Sequence, residues 1–255
     1  MKRYEFSFQK NIRDLGGLKT VDGRQIKEGR LFRGGALARV NEDDVKVIDS
    51  FHLTDIVDFR GHEEFLYRPD HIFDGVEYHN FPIIEEKVKN PRQNDDGNLL
   101  WFLQEGASGA QHLLDCYQEF ILSPKAIQGY HDFFELLLNE GRTVYFHCSQ
   151  GKDRAGFAAY LLEIALGVPE EKAREDYLLT NLAMKEKIAS LTKRVEDKPF
   201  FNETFRQDLI DIFSAKEEYL DESIRLMKER YGGTMNYIQK AVGVDVNRLK
   251  ELYLD

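Results

Sequence analysis

The stretch from Thr143 to Gly156, T-V-Y-F-H-C-S-Q-G-K-D-R-A-G, constrains this chain more than any other. A short β-branched and aromatic run ends at Cys148, five residues separate that cysteine from Arg154, and an apolar helical pattern from Ala155 to Leu166 follows at once. A loop between the carboxyl end of a strand and the start of a helix turns its N–H groups inward, and the first helical turn adds partial positive charge. Such a loop suits a dianionic phosphate. Cys148 would sit at its base, Ser149, Gln150, Gly151, Lys152 and Asp153 would line it, and the Arg154 guanidinium would close the rim with a bidentate grip.

The thiolate is the nucleophilic form of cysteine, and loop amides, a helix N-terminus and the neighbouring cations Lys152 and Arg154 all favour it. The competing reading, a buried inert cysteine, explains neither Gly151 nor two cations four and six residues further on. For Cys116, inside a helical pattern, the weight lies with core packing. His147 either orients the loop by hydrogen bonding or is a satisfied core histidine. These two cysteines lack the spacing of a zinc site or a disulfide framework, and the loop activates its own nucleophile, so no metal or cofactor is expected.

Around this frame, Thr54 to Phe59, Val76 to Phe81 and Thr143 to His147 read as strands, and Gln111 to Leu122, Gln128 to Leu138 and Ala155 to Leu166 as helices. Their alternation predicts an α/β fold with a central, mainly parallel sheet flanked by helices. A small N-terminal hairpin is expected at Thr20 to Lys27, around the Asp22-Gly23 turn. Leu178 to Phe213, charged and periodic with an irregular Glu196 to Pro199 break, reads as a C-terminal helical insertion, and Glu217 to Tyr231 as a helix stopped by Gly232-Gly233. With 255 residues and 42% apolar content, one domain over 1–255 is sufficient.

The formal charge of −10 argues against general nucleic-acid binding, because phosphate backbones are held by surplus Lys and Arg. No apolar run of membrane-spanning length occurs, so stable membrane insertion is not expected. No export-type apolar stretch follows the basic residues near Met1, which points to a cytoplasmic setting.

The sequence H-C-S-Q-G-K-D-R-A-G at His147 to Gly156 resembles the signature loop of the cysteine-based tyrosine phosphatase superfamily, and more narrowly that of its atypical bacterial tyrosine/serine branch. Further blocks are similar to that branch: N-I-R-D-L-G-G at Asn11 to Gly17, G-R-L-F-R-G-G at Gly29 to Gly35, D-F-R at Asp58 to Arg60, and the C-terminal run from E-E-Y-L-D to V-G-V-D. The resemblance implies a hydrolase forming a phosphocysteine and acting on phosphotyrosine, often on phosphoserine and phosphothreonine, and in some members on phosphoinositides. Lys152 stands where lipid-directed members carry an extra cation; it could meet a second phosphate, or simply pair with a carboxylate.

Two departures from the family pattern stand out. Ala155 occupies the place of the hydroxyl residue that usually follows the loop arginine, so either turnover is slow or Ser149 substitutes. No Trp-Pro-Asp loop supplies the general acid. An alkoxide leaving group needs a proton, and two aspartates are candidates: Asp153 in the loop, preferred as acid and later base, and Asp58 at a strand end, read as positioning Arg154 or a water. Glu85 and Glu86 are weaker candidates.

Two other readings compete. One is a non-catalytic phosphate-binding module; the other is a rhodanese-like sulfurtransferase, which the loop length and flanking blocks do not suit. Residues 183–213 could form a helical lid over the cysteine or an ordinary packed hairpin. The partner expected is a phosphorylated protein or a phosphoinositide.

Overall fold

The computed structural model describes residues 2–4, 6, 11–84, 100 and 102–255, and among these six strands form one sheet. They are β1 (Lys2–Tyr4), β2 (Ile12–Asp14), β3 (Leu31–Gly35), β4 (Asp55–Asp58), β5 (Glu77–Asn80) and β6 (Val144–Cys148), in the spatial order β1-β2-β3-β6-β4-β5. Pairing is parallel across β3, β6, β4 and β5, and antiparallel from β1 to β3. The expected mixed, mainly parallel architecture is therefore present. Because β6 lies between β3 and β4, with Gly35 opposite Cys148 and Asp58 opposite His147, the cysteine sits at the carboxyl edge of the sheet's centre. Ligands gather at that edge in open α/β sheets.

Alternating side chains split the strands between two cores. Leu31, Val57, Val144 and Phe146 pack into the larger one, while Phe32, Ile56 and Tyr145 pack into a smaller one with Ile12, Leu37, Ile48, Phe51 and Phe73. The smaller face is covered by α1 (Glu42–Asp49), which opens on a capping box between Asn41 and Asp44. The larger face holds α3 (Gly109–Leu122), α4 (Pro124–Leu137) and α5 (Arg154–Leu166); the short α2 (His62–Tyr67) follows β4. Every residue of α5 except Ile164 is buried, as its almost uniformly apolar sequence requires. The helix behind the loop is thus the centre of the core, a rigid mount for whatever the loop holds.

The chain then forms α6 (Glu170–Val195), α7 (Glu203–Phe213), α8 (Glu217–Tyr231) and α9 (Val246–Tyr253). The break expected near Glu196 to Pro199 is the turn between α6 and α7. Across 183–213, Ala183, Met184, Leu191 and Val195 on α6 and Phe205, Leu209, Ile212 and Phe213 on α7 are buried, and the Gly109 amide at the start of α3 donates to Asp208 Oδ1 at 2.9 Å. The small N-terminal hairpin is present around Asp22-Gly23: Lys19 bridges Gln25, the Thr20 amide donates to the Arg24 carbonyl and the Ile26 amide to the Leu18 carbonyl, each at 2.9 Å, while a second antiparallel ribbon is built from β1 and β2. The two-residue turn forms because its signal is local; the longer pairing goes to segments with a sheet edge to join. Among the described residues, no helix is long and apolar enough to cross a membrane.

Candidate active site

Cys148, 3% exposed, ends β6, and the loop from Ser149 to Asp153 carries the chain directly into α5 at Arg154. The loop's tightest point is Gly151, at φ +67°, where a Cβ would collide with the backbone of Gly34 on β3. Gly34 in turn has no room for a side chain, because the Tyr145 hydroxyl lies against it. These two glycines let the loop fold back over the strand beside it.

Arg154 is fixed by a residue the sequence did not point to. Its Nη1 and Nη2 donate to the two oxygens of Glu64, on α2, at 2.5 and 3.0 Å. The Ser149 hydroxyl donates to Glu64 Oε1 at 2.7 Å, and the Gly61 amide to Oε2 at 2.9 Å. Burial opposes the Glu64 charge, but Arg154 and these donors outweigh it and hold the carboxyl below its ordinary value. The place proposed for Asp58 beside Arg154 therefore belongs to Glu64, and the Ser149 hydroxyl is committed to Glu64 rather than left to stand in for the hydroxyl missing at Ala155. An E-E at the start of a short helix reads as solvated surface, which is why sequence alone passed it over.

Asp58 lies instead in a buried ion network beneath the loop. Arg60 Nη2 pairs with Asp58 Oδ2 at 2.7 Å and with Asp70 Oδ2 at 3.2 Å, and the Tyr78 hydroxyl donates to Asp58 Oδ2 at 2.6 Å. His147 Nε2 stands 2.8 Å from Asp70 Oδ2, while Nδ1 lies 3.2 Å from the Cys148 carbonyl, which can only accept, so Nδ1 carries a proton. Burial opposes the Asp58 charge, but His147 and Arg60 hold it below the usual carboxylate range. Asp58 is fully buried within this network.

Asp70 is likewise opposed by burial yet held at about 2 by His147 and Arg60, and Asp70 and Asp58 raise His147 against its own desolvation. The signs follow from linkage. Asp70 stabilises the fold above its ordinary 3.8, an effect lost as pH falls toward about 2; His147 stabilises it below its ordinary 6.5, an effect lost as pH rises through its raised folded value. Asp70→Asn should therefore cost about 2 kcal/mol at pH 5 to 6 and flatten the fall in stability between about pH 4 and 2. Urea unfolding across that range measures it, and an unchanged acid limb would refute the assignment.

Asp153, the loop carboxylate, has Oδ1 anchored by Lys152 Nζ at 2.7 Å and by the Tyr117 hydroxyl at 3.2 Å. Tyr117 is 2.8 Å from the Tyr177 hydroxyl on α6. No hydrogen bond to Oδ2 is present among the described residues, and the side chain is about one quarter exposed. Lys152 is buried, its ammonium spent on Asp153 and on the Ser214 carbonyl at 3.2 Å, just beyond α7. Of the two roles open to it, pairing with a carboxylate is the one seen. Cys116 is half-buried on α3, its sulfur 3.8 Å from His112 Nε2. Glu85 and Glu86 lie outside the described residues.

A cysteine and an arginine six residues apart stand on a strand–loop–helix at the carboxyl edge of a parallel sheet, where open α/β folds gather their ligands and a helix start suits an anion. The chain belongs to the tyrosine phosphatase family, whose model matches residues 4–255. A Cupriavidus necator protein named "Putative tyrosine-protein phosphatase" is 30% identical over 260 residues, 99% of this chain and 89% of that protein. The protein of Mycobacterium tuberculosis named "Triple specificity protein phosphatase PtpB" is 25% identical over 272 residues, 96% of each. This chain is thus a phosphoric monoester hydrolase of the tyrosine phosphatase type.

Proposed function

We propose that the chain hydrolyses phosphotyrosine, and also phosphoserine and phosphothreonine, in proteins through a phosphocysteine at Cys148. The observation that carries this reading is the pairing of Cys148, at the loop's base, with an Arg154 locked in place by Glu64. The Cys148 thiolate attacks phosphorus, the bond to the leaving oxygen breaks, and Asp153 gives its proton to that oxygen. Water then attacks the phosphocysteine, the Asp153 carboxylate takes its proton, and the thiolate departs. The anchored Oδ1 of Asp153 supports this assignment, since it leaves the other oxygen to face substrate. The loop amides from Ser149 to Arg154 and the Arg154 guanidinium hold the phosphate.

A phosphoinositide substrate is the lesser reading, because the ammonium of Lys152 that motivated it is engaged by Asp153 and Ser214. Residues 183–213 act as a cover beside the loop in the same proposal, supported by the contact of Lys152 with the Ser214 carbonyl, one residue past their end.

Phosphotyrosine, phosphoserine and phosphothreonine peptides assayed beside a phosphoinositide panel test the substrate class; preferred turnover of the lipids would overturn the protein reading. Asp153→Asn tests the acid. An alkyl phosphate should lose about 10³-fold in kcat/KM, within the range for general acid catalysis, and a nitrophenyl phosphate with its good leaving group only about tenfold. Equal losses on both would remove Asp153 from the role.

A further inference from the structure

Four consecutive carbonyls of the loop are bonded on its outer side. The Cys148 carbonyl accepts from His147 Nδ1 at 3.2 Å, Ser149 from the Ala36 amide at 3.3 Å, Gln150 from Asn11 Nδ2 at 3.0 Å, and Gly151 from Arg33 Nη2 at 2.9 Å. A trans peptide is planar, with its C=O and N–H on opposite sides. Holding these four carbonyls outward therefore aims the amides of Ser149, Gln150, Gly151 and Lys152 inward. Two of the four donors are side chains from distant segments, 139 and 118 residues from their acceptors.

Both side chains are themselves fixed. Asn11 Oδ1 accepts from Arg13 Nη1 at 2.7 Å, which sets the amide so that its nitrogen meets Gln150. Asp176 on α6 accepts from Arg13 Nε and from Arg33 Nη1, each at 2.6 Å. Asn11, Arg13, Arg33 and Asp176 are all buried. Glu163, enclosed nearby, is pushed well above its ordinary value by burial and by the Asp176 charge.

We propose that Asn11 and Arg33 are positioning residues for phosphate binding: they hold the Gln150 and Gly151 carbonyls outward, and so aim the Gly151 and Lys152 amides at the phosphate, with Asp176 orienting Arg33. The proposal rests on the phosphatase reading of the Cys148 loop. It gives the N-I-R-D and L-F-R-G-G blocks a task in the site, although neither touches substrate.

Asn11→Asp is the sharpest test. The new carboxylate keeps an acceptor for Arg13 but sets an oxygen against the Gln150 carbonyl in place of a donor. Arg33→Lys keeps the charge facing Asp176 but cannot span both partners. Titration calorimetry with inorganic phosphate and orthovanadate, with thermal melts to establish the folded fraction, should show each variant weakened at least about tenfold per folded molecule, with KM for a nitrophenyl phosphate raised in step. A purely structural role would lower Tm and leave the affinity of the folded protein unchanged, and that result in either variant overturns the role of the residue changed. Should the parent protein bind no phosphate, the phosphatase reading itself falls, which is a different failure from parent and variants binding alike.

Discussion

Cys148→Ser is expected to reduce hydrolysis of a nitrophenyl phosphate by about 10⁴-fold or more while leaving inorganic phosphate bound. The reason is the asymmetry between the two nucleophiles. Cysteine forms a thiolate far more readily than serine forms an alkoxide, and a serine hydroxyl stays protonated unless a base stands beside it. Glu64, which accepts from Ser149 and Arg154, is committed to those two partners. Serine is close to cysteine in size, so the buried site at the end of β6 should keep its shape, and phosphate should still find the amides and Arg154. Rapid quench of the parent with an aryl phosphate should trap one phosphoryl group on the Cys148 peptide by mass spectrometry. Residual turnover within a hundredfold of the parent, or a phosphoryl group on another residue, would refute the phosphocysteine route.

The second large effect falls on Glu64. In Glu64→Gln the guanidinium of Arg154 loses its charged, bidentate partner and stands largely buried beside a neutral amide. Breaking one side of a buried pair costs about 3 to 5 kcal/mol when nothing replaces it, and less where a neutral hydrogen bond remains. A loss of about 2 to 3 kcal/mol corresponds to a Tm lower by roughly 4 to 12 °C for a chain of this size. A misaligned Arg154 should also lower kcat/KM by about 10²-fold.

These two consequences diverge when phosphate is added. Bound phosphate returns a negative charge to Arg154, so it should raise the Tm of Glu64→Gln by more than it raises that of the parent. A variant whose Tm and kcat/KM both match the parent would show that Arg154 needs no such partner. One that loses stability but gains nothing from phosphate would show that Glu64 supports α2 rather than Arg154.

What could be read from the chain and what could not divide along sequence separation. The run into Cys148, the loop and the helix beyond it lie within one short stretch, and local propensities fix their order and geometry. The strand Leu31–Gly35 escaped notice although it adjoins β6, because L-F-R-G-G ends on two glycines and so reads as a turn. Gly34 is there because Tyr145 from the next strand leaves it no room for a side chain, a fact of packing that no local pattern records.

The sequence by itself determined the fold class, the strand-loop-helix frame and the juxtaposition of Cys148 with Arg154, since six residues of one curled loop cannot be far apart. Only the tertiary structure decided which charges serve them. It chose Glu64 over Asp58 for Arg154, turned Lys152 toward Asp153 and Ser214, and brought Asn11 and Arg33 to the loop's outer carbonyls. A carboxylate or an arginine looks the same in sequence whether it ends in water or in a buried pair. Its role is set by burial, which raises the cost of an unpaired charge and so makes one partner obligatory, and burial exists only once distant segments have packed.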